Sequence, residues 1–81
     1  MLEKFRKKID AIDRKIIFLL EERIKISINI GKFKKQNSLS IRDVNREKEI
    51  FSQITRKTSL DPNFIKQFYN LIFRFSRKIQ K

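Results

Sequence analysis

An all-helical fold, with three helices per chain, follows from three features of the sequence. Apolar residues recur at helical spacing along most of the chain, one glycine and one proline leave few places to turn, and an Asp-Pro pair marks a helix start. The first helix is expected over about 2–36, where Phe5, Ile9, Ile12, Ile16, Leu19, Leu20, Ile26, Ile30 and Phe33 share the helical repeat. Gly31 interrupts this pattern, but a lone interior glycine costs only about 1 kcal/mol, so the helix is expected to run through it. Asn37-Ser38-Leu39-Ser40 reads as a loop. A second helix is expected over about 44–57, capped by Asp43, with Ile50, Phe51 and Ile54 turned inward. The third, about 62–80, starts at Asp61-Pro62, a capping side chain before a proline in the first helical position. It carries Phe64, Ile65, Phe68, Tyr69, Leu71, Ile72, Phe73, Phe75 and Ile79. Apolar almost all round, it is expected to be buried on more than one side.

Residues 1–81 read as one domain, and length then argues for assembly. A helix of about 34 residues spans about 50 Å. A compact domain of this size is only about 30 Å across. The first helix must project beyond any monomeric core while still carrying an apolar stripe, and a second copy of the chain covers that stripe most simply. An intertwined, two-fold symmetric homodimer is therefore expected. The competing reading breaks the helix at Gly31 and folds a monomeric bundle.

Composition narrows the chemistry. Without cysteine or histidine there is no disulfide, and the usual zinc, haem and iron–sulfur sites are excluded; a carboxylate-bound magnesium stays open but has no supporting motif, so no metal site is expected. The opening residues lack the apolar core of a signal peptide, and the longest apolar run, Ile16 to Leu20, falls far short of the roughly 20 residues of a membrane span. A soluble cytoplasmic protein with no membrane partner is expected. Twenty-one Lys and Arg against 9 Asp and Glu give a formal charge of +12. Such a field attracts nucleic acid, anionic membranes and small polyanions alike. A basic nucleic-acid-binding module is thus a rival reading, although the cations are spread over all three helices rather than gathered on one, so no nucleic-acid partner is expected.

The residues that break the apolar stripes carry the functional signal. At about 100° per residue, Phe5, Ile9, Ile12, Ile16 and Leu19 form one narrow face of the first helix. The same line continues through Arg23, Ser27, Ile30 and Lys34. Glu47 shares the inward face of the second helix, and the line Ile65, Tyr69, Ile72 on the third runs into Ser76 and Gln80. For any one of these a bland account exists: Arg23 or Lys34 reaches the surface, or Glu47 pairs with Arg23. Together they describe a pocket whose cations outnumber its carboxylate, suited to a small dicarboxylate or phosphate. No nucleophile with an adjacent base is visible, so any reaction here depends mainly on positioning and electrostatics.

The segment from Phe5 to Ile16, then Leu19-Leu20-Glu21-Glu22-Arg23, resembles the first helix of the all-helical chorismate mutases. Ile30-Gly31-Lys32-Phe33-Lys34, Ile41-Arg42-Asp43-Val44-Asn45-Arg46-Glu47, Leu60-Asp61, Ser76 and Gln80 continue the likeness in order. The resemblance implies a cofactor-independent Claisen rearrangement of chorismate to prephenate, in phenylalanine and tyrosine biosynthesis. It implies that Arg23 and Arg6 bind the substrate carboxylates and that Lys34 and Gln80 donate to the breaking ether oxygen. Glu47, with the backbone near Asp43, would hold the ring hydroxyl, while Arg46 would support the carboxylate network and Ser76 would contact a carboxylate. Arg6 and Arg23 lie 17 residues apart, about 25 Å along a helix, so one small ligand can meet both only if Arg6 comes from the other subunit. The sequence departs from the family pattern at Arg77, where an apolar residue is commoner, and at Phe75, where an acid is often found. Isochorismate pyruvate lyase shares this architecture and stands as an alternative activity.

Overall fold

The computed structural model describes residues 1–81, in three helices and no strands. Helix α1 runs Leu2–Gln36, α2 Val44–Lys57 and α3 Pro62–Gln80. Both later helices start on aspartate caps. The Asp43 carboxylate accepts the Arg46 backbone N–H at 3.0 Å, and the Asp61 carboxylate accepts that of Asn63 at 3.0 Å, with Pro62 opening the first turn. Each cap satisfies a backbone donor that the helix itself cannot pair.

Helix α1 passes through Gly31 without a break. It ends where Ser38 takes a left-handed conformation, φ 55°, of the kind glycine usually supplies. The Leu39 N–H then bonds back to the Lys34 carbonyl at 2.8 Å, and Asn37 caps the Phe33 carbonyl with its side-chain amide. This reversal carries residues 39–43 back beside the last turn of α1, which matters for the site.

Helix α3 packs against both α1 and α2, whereas α1 and α2 do not pack on each other. The expectation that α3 is covered on more than one side is met only in part. Ile65 and Phe73 are buried, but Phe64, Leu71 and Phe75 remain exposed in the single chain. The chain is 55 Å long and only 24 Å and 16 Å across, and just 5 of its 81 residues are buried. Its accessible surface, 7116 Å², exceeds the roughly 5,200 Å² of a compact monomer of this mass.

Candidate active site

The polar stripe-breakers of the three helices meet around one cleft of about 350 Å³, a volume typical of small-molecule sites. Arg23, Ser27 and Lys34 reach it from α1, Asp43, Arg46 and Glu47 from the start of α2, and Ser76, Arg77 and Gln80 from the end of α3. Ile30, Ile50 and Phe73 supply apolar wall. Four cationic side chains face two carboxylates here, so the cleft has a positive surplus that suits a dianion.

At one end, Arg23 Nη1 donates to Ser76 Oγ at 2.8 Å, and Ser27 Oγ lies 3.5 Å from the same oxygen. A guanidinium has five N–H donors in a planar fork. One is anchored on Ser76, which fixes the plane and leaves others for a bidentate carboxylate. Arg23 is half-buried rather than extended into solvent, and it does not pair with Glu47.

At the other end, Lys34 Nζ donates to the Ile41 carbonyl at 2.6 Å and to Gln80 Oε1 at 3.3 Å. Two of its three protons are thus assigned, and the third is available to the cleft. Because the ammonium can only donate, it must face the oxygen of the Gln80 amide. The amide N–H groups are thereby turned away from Lys34, so two donors of different charge stand side by side. Gln80 itself is 8% exposed, where the last turn of α3 lies close against α1 at Gly31. A Cβ on Gly31 would meet the Gln80 Cα at 2.8 Å and its carbonyl oxygen at 2.9 Å. Only a residue without a side chain lets the last turn of α3 lie so close to α1.

Glu47 is the half-buried acid of the cleft. Its Oε2 accepts from Arg77 Nη1 at 2.6 Å, and its Oε1 lies 3.7 Å from Arg42 Nη2. The pairing with Arg23 allowed by the sequence is not formed, and Glu47 pairs with Arg77 of α3 instead. Asp43 spends its side chain on the cap, so toward the cleft it offers chiefly backbone. Arg46 lines the rim but pairs with Glu49 along the exposed face of α2 at 2.5 Å.

Arg6 is the one expected site residue that the single chain does not bring to the cleft. It lies in the first turns of α1, exposed and far down the helix from Arg23. Conversely, Arg77 and the Ile41 carbonyl are in the site although the helical stripes do not point to them. The carbonyl left no trace in the sequence, since every residue has one. Arg77 lies one residue past Ser76 and off the inward line, where a charge reads as solvated surface.

The model of the chorismate mutase type II family matches residues 5–81. The chain belongs to that family. A chorismate mutase from Methanocaldococcus jannaschii is 31% identical over 83 residues, spanning 99% of this chain and 84% of that protein. A bifunctional chorismate mutase/prephenate dehydratase from Buchnera aphidicola of Schizaphis graminum is 37% identical over 83 residues, covering 99% of this chain. The chain spans only 22% of that bifunctional relative's length. Among solved structures, a conserved hypothetical protein from Pyrococcus furiosus superposes with a TM-score of 0.83 and 34% identity, over 99% of this chain and 95% of the other. The family match and the structural likeness both run along essentially the whole chain. No helix is long and apolar enough to cross a membrane.

Proposed function

We propose that this chain converts chorismate to prephenate as a cytoplasmic homodimer with two shared active sites. The observation that carries the reading is the convergence of Lys34 and Gln80 on one cleft with a surplus of positive charge. Chorismate is a dicarboxylate whose rearrangement is unimolecular. It needs a folded, chair-like conformer and donors at the ether oxygen, which gains negative charge as the C–O bond breaks. Arg23, steadied by Ser76, takes one carboxylate, and the partner subunit's Arg6 takes the other. Lys34 and Gln80 meet the ether oxygen, with Lys34 also touching a carboxylate. Glu47 and the backbone at Asp43 hold the ring hydroxyl, and Arg46 adds positive field at the rim. A donor that bonds more strongly as charge develops lowers the barrier more than it tightens substrate binding. The chain's own residues suffice for this chemistry, with no proton transferred and no cofactor invoked.

The dimer is supported by what one chain leaves uncovered. The stripe Phe5, Ile9, Ile12, Ile16 and Leu19 is 45–63% exposed. An apolar trough of about 270 Å³ between α1 and α3, floored by Leu20, Tyr69 and Ile72, runs on from that stripe to Arg23. A second α1 laid along this surface covers the stripe and brings its own Arg6 toward Arg23. The cations outside the cleft are scattered over all three helices, which favours neither nucleic acid nor a membrane surface as partner.

The test is to add purified protein to chorismate and follow the loss of chorismate absorbance, with prephenate identified as product by chromatography. Isochorismate is assayed in parallel. Prephenate formation supports the reading. Turnover of isochorismate alone, with release of pyruvate, replaces it with the lyase, and no turnover of either substrate overturns it.

A further inference from the structure

Arg77 is the cleft residue that neither the apolar stripes nor the proposed reaction accounts for. It is half-buried beside Glu47, with side-chain exposures of 26% and 18%, and the two share the 2.6 Å hydrogen bond between α3 and α2. That bond is the only side-chain hydrogen bond joining the two helices. It matters because α2 has no fully buried residue and no packing against α1, so its placement depends on α3 alone. Glu47 also has a competing partner. Arg42 stands 3.7 Å from its other oxygen and is itself 59% exposed, toward solvent. With Arg77 present, the shorter and less exposed of the two pairs holds the carboxylate inward. Without it, the more exposed Arg42 is the cation left beside the carboxylate.

We propose that Arg77 is a positioning residue that aims Glu47 at the substrate's ring hydroxyl and so sets selectivity for a hydroxylated substrate. The inference rests on the reading of this cleft as a chorismate site. A carboxylate offers about four lone-pair positions, so Glu47 accepts from Arg77 and from a hydroxyl at once. The Arg77 bond is charge-assisted and directional, which fixes the remaining lone pairs relative to α3, the helix that also carries Ser76 and Gln80. One side chain thereby places the hydroxyl acceptor in register with two other groups of the site.

The experiment compares chorismate with an analogue in which the ring hydroxyl is replaced by hydrogen, using the full chain. The quantity read is the ratio of kcat/KM for the two substrates. Losing a cation weakens both dianions alike, and partial unfolding also lowers both rates alike, so neither changes the ratio. Losing the aim of Glu47 penalises only the hydroxylated substrate. In Arg77→Met the ratio is expected to fall about tenfold, the scale of one hydrogen bond to a charged group. Arg77→Lys, which restores a charge but not the fork, is expected to recover part of it. In a Glu47→Ala background, Arg77→Met is expected to leave the ratio where Glu47→Ala put it. An unchanged ratio in Arg77→Met, whether both rates fall together or neither falls, overturns the positioning role. If Arg77→Met does not fold, Arg77→Lys decides the matter instead: a ratio below wild type supports the positioning role, and a wild-type ratio overturns it. A wild-type chain that turns over chorismate without preferring it to the analogue overturns this inference alone. A wild-type chain inactive on both substrates overturns the underlying reading and the inference with it.

Discussion

Between Phe5 and Leu19 the inward line of α1 is apolar and exposed, while between Arg23 and Lys34 the same line carries three polar residues and each of them has a partner. Arg23 and Ser27 meet Ser76, and Lys34 meets Gln80 and the Ile41 carbonyl. One helix thus contains a half completed by its own chain and a half that is not. The C-terminal half is organised by α3, which buries Phe73 and Gln80 against it. The N-terminal half is left largely uncovered, its stripe 45–63% exposed, yet its inward line is the more hydrophobic of the two. The difference separates two tasks. In the proposed dimer, stability of the assembly falls to the apolar half and chemistry to the polar half, and the site is shared because the apolar half of one copy also carries Arg6.

Breaking the apolar half should have the largest effect. Ile12→Asp places a charge in the middle of the exposed stripe, which the proposed dimer would bury. Wild type should sediment at roughly twice the 9.9 kDa chain mass, with no folded monomer on dilution. Ile12→Asp should lose both the dimer and the helical signal. An Ile12→Asp chain that is still helical, dimeric and active would assign the stripe no role in assembly.

Within the polar half the largest loss should come from Lys34. Lys34→Ala should lower kcat by about 10²–10³, the loss seen on removing one oxyanion-type donor, with a smaller change in KM. A change confined to KM would make Lys34 a binding group only. Gln80→Glu sharpens the assignment, since a carboxylate beside the ether oxygen can donate only when protonated. Its rate should therefore rise as pH falls, and at about pH 8 it should lie well below wild type. Equal activity there would remove Gln80 from the ether oxygen.

The smallest of these effects should come from Gly31→Ala. The added methyl meets backbone atoms of Gln80 at 2.8 and 2.9 Å, so α3 must shift. A stability loss of about 1–3 kcal/mol is expected from such overpacking. Thermal unfolding measures it, and kcat should fall with it because Gln80 moves. A variant as stable and active as wild type would show that the two helices have slack at this crossing.

Much of this was legible in the sequence, for a physical reason. A helix repeats about every 3.6 residues, so Arg23, Ser27, Lys34, Glu47, Ser76 and Gln80 can be recognised as inward-facing from what surrounds them on their own helix. Asp43 and Asp61-Pro62 likewise signal helix starts through local backbone needs, and their carboxylates cap as such signals imply. Partnerships between helices were not legible. Glu47 had several cations within reach, and only the packing of α2 on α3 selects Arg77 over Arg23. Arg77 itself follows Ser76 by one residue, about 100° off the inward line, where a charge reads as solvated surface. Gly31 reads as an interruption of the pattern, and its use, a close crossing with Gln80, exists only once α3 is in place. The turn at Ser38 and the Ile41 carbonyl are backbone features that side-chain patterns do not encode.

The comparison between the two halves of α1 is tested most directly by complementation. Arg6→Ala removes a cation from the apolar half, and Arg23→Ala removes one from the polar half. Each homodimer then lacks one arginine in both sites and should be nearly inactive. When the two variants are unfolded together and refolded, about half of the dimers should be mixed. In a mixed dimer one site lacks both arginines and the other keeps both. With two sites per dimer, the mixture should recover about a quarter of wild-type chorismate turnover if the halves act across the dimer. If mixed dimers form, as shown by a size tag on one variant, and no activity returns, the two halves of α1 do not build one site between them.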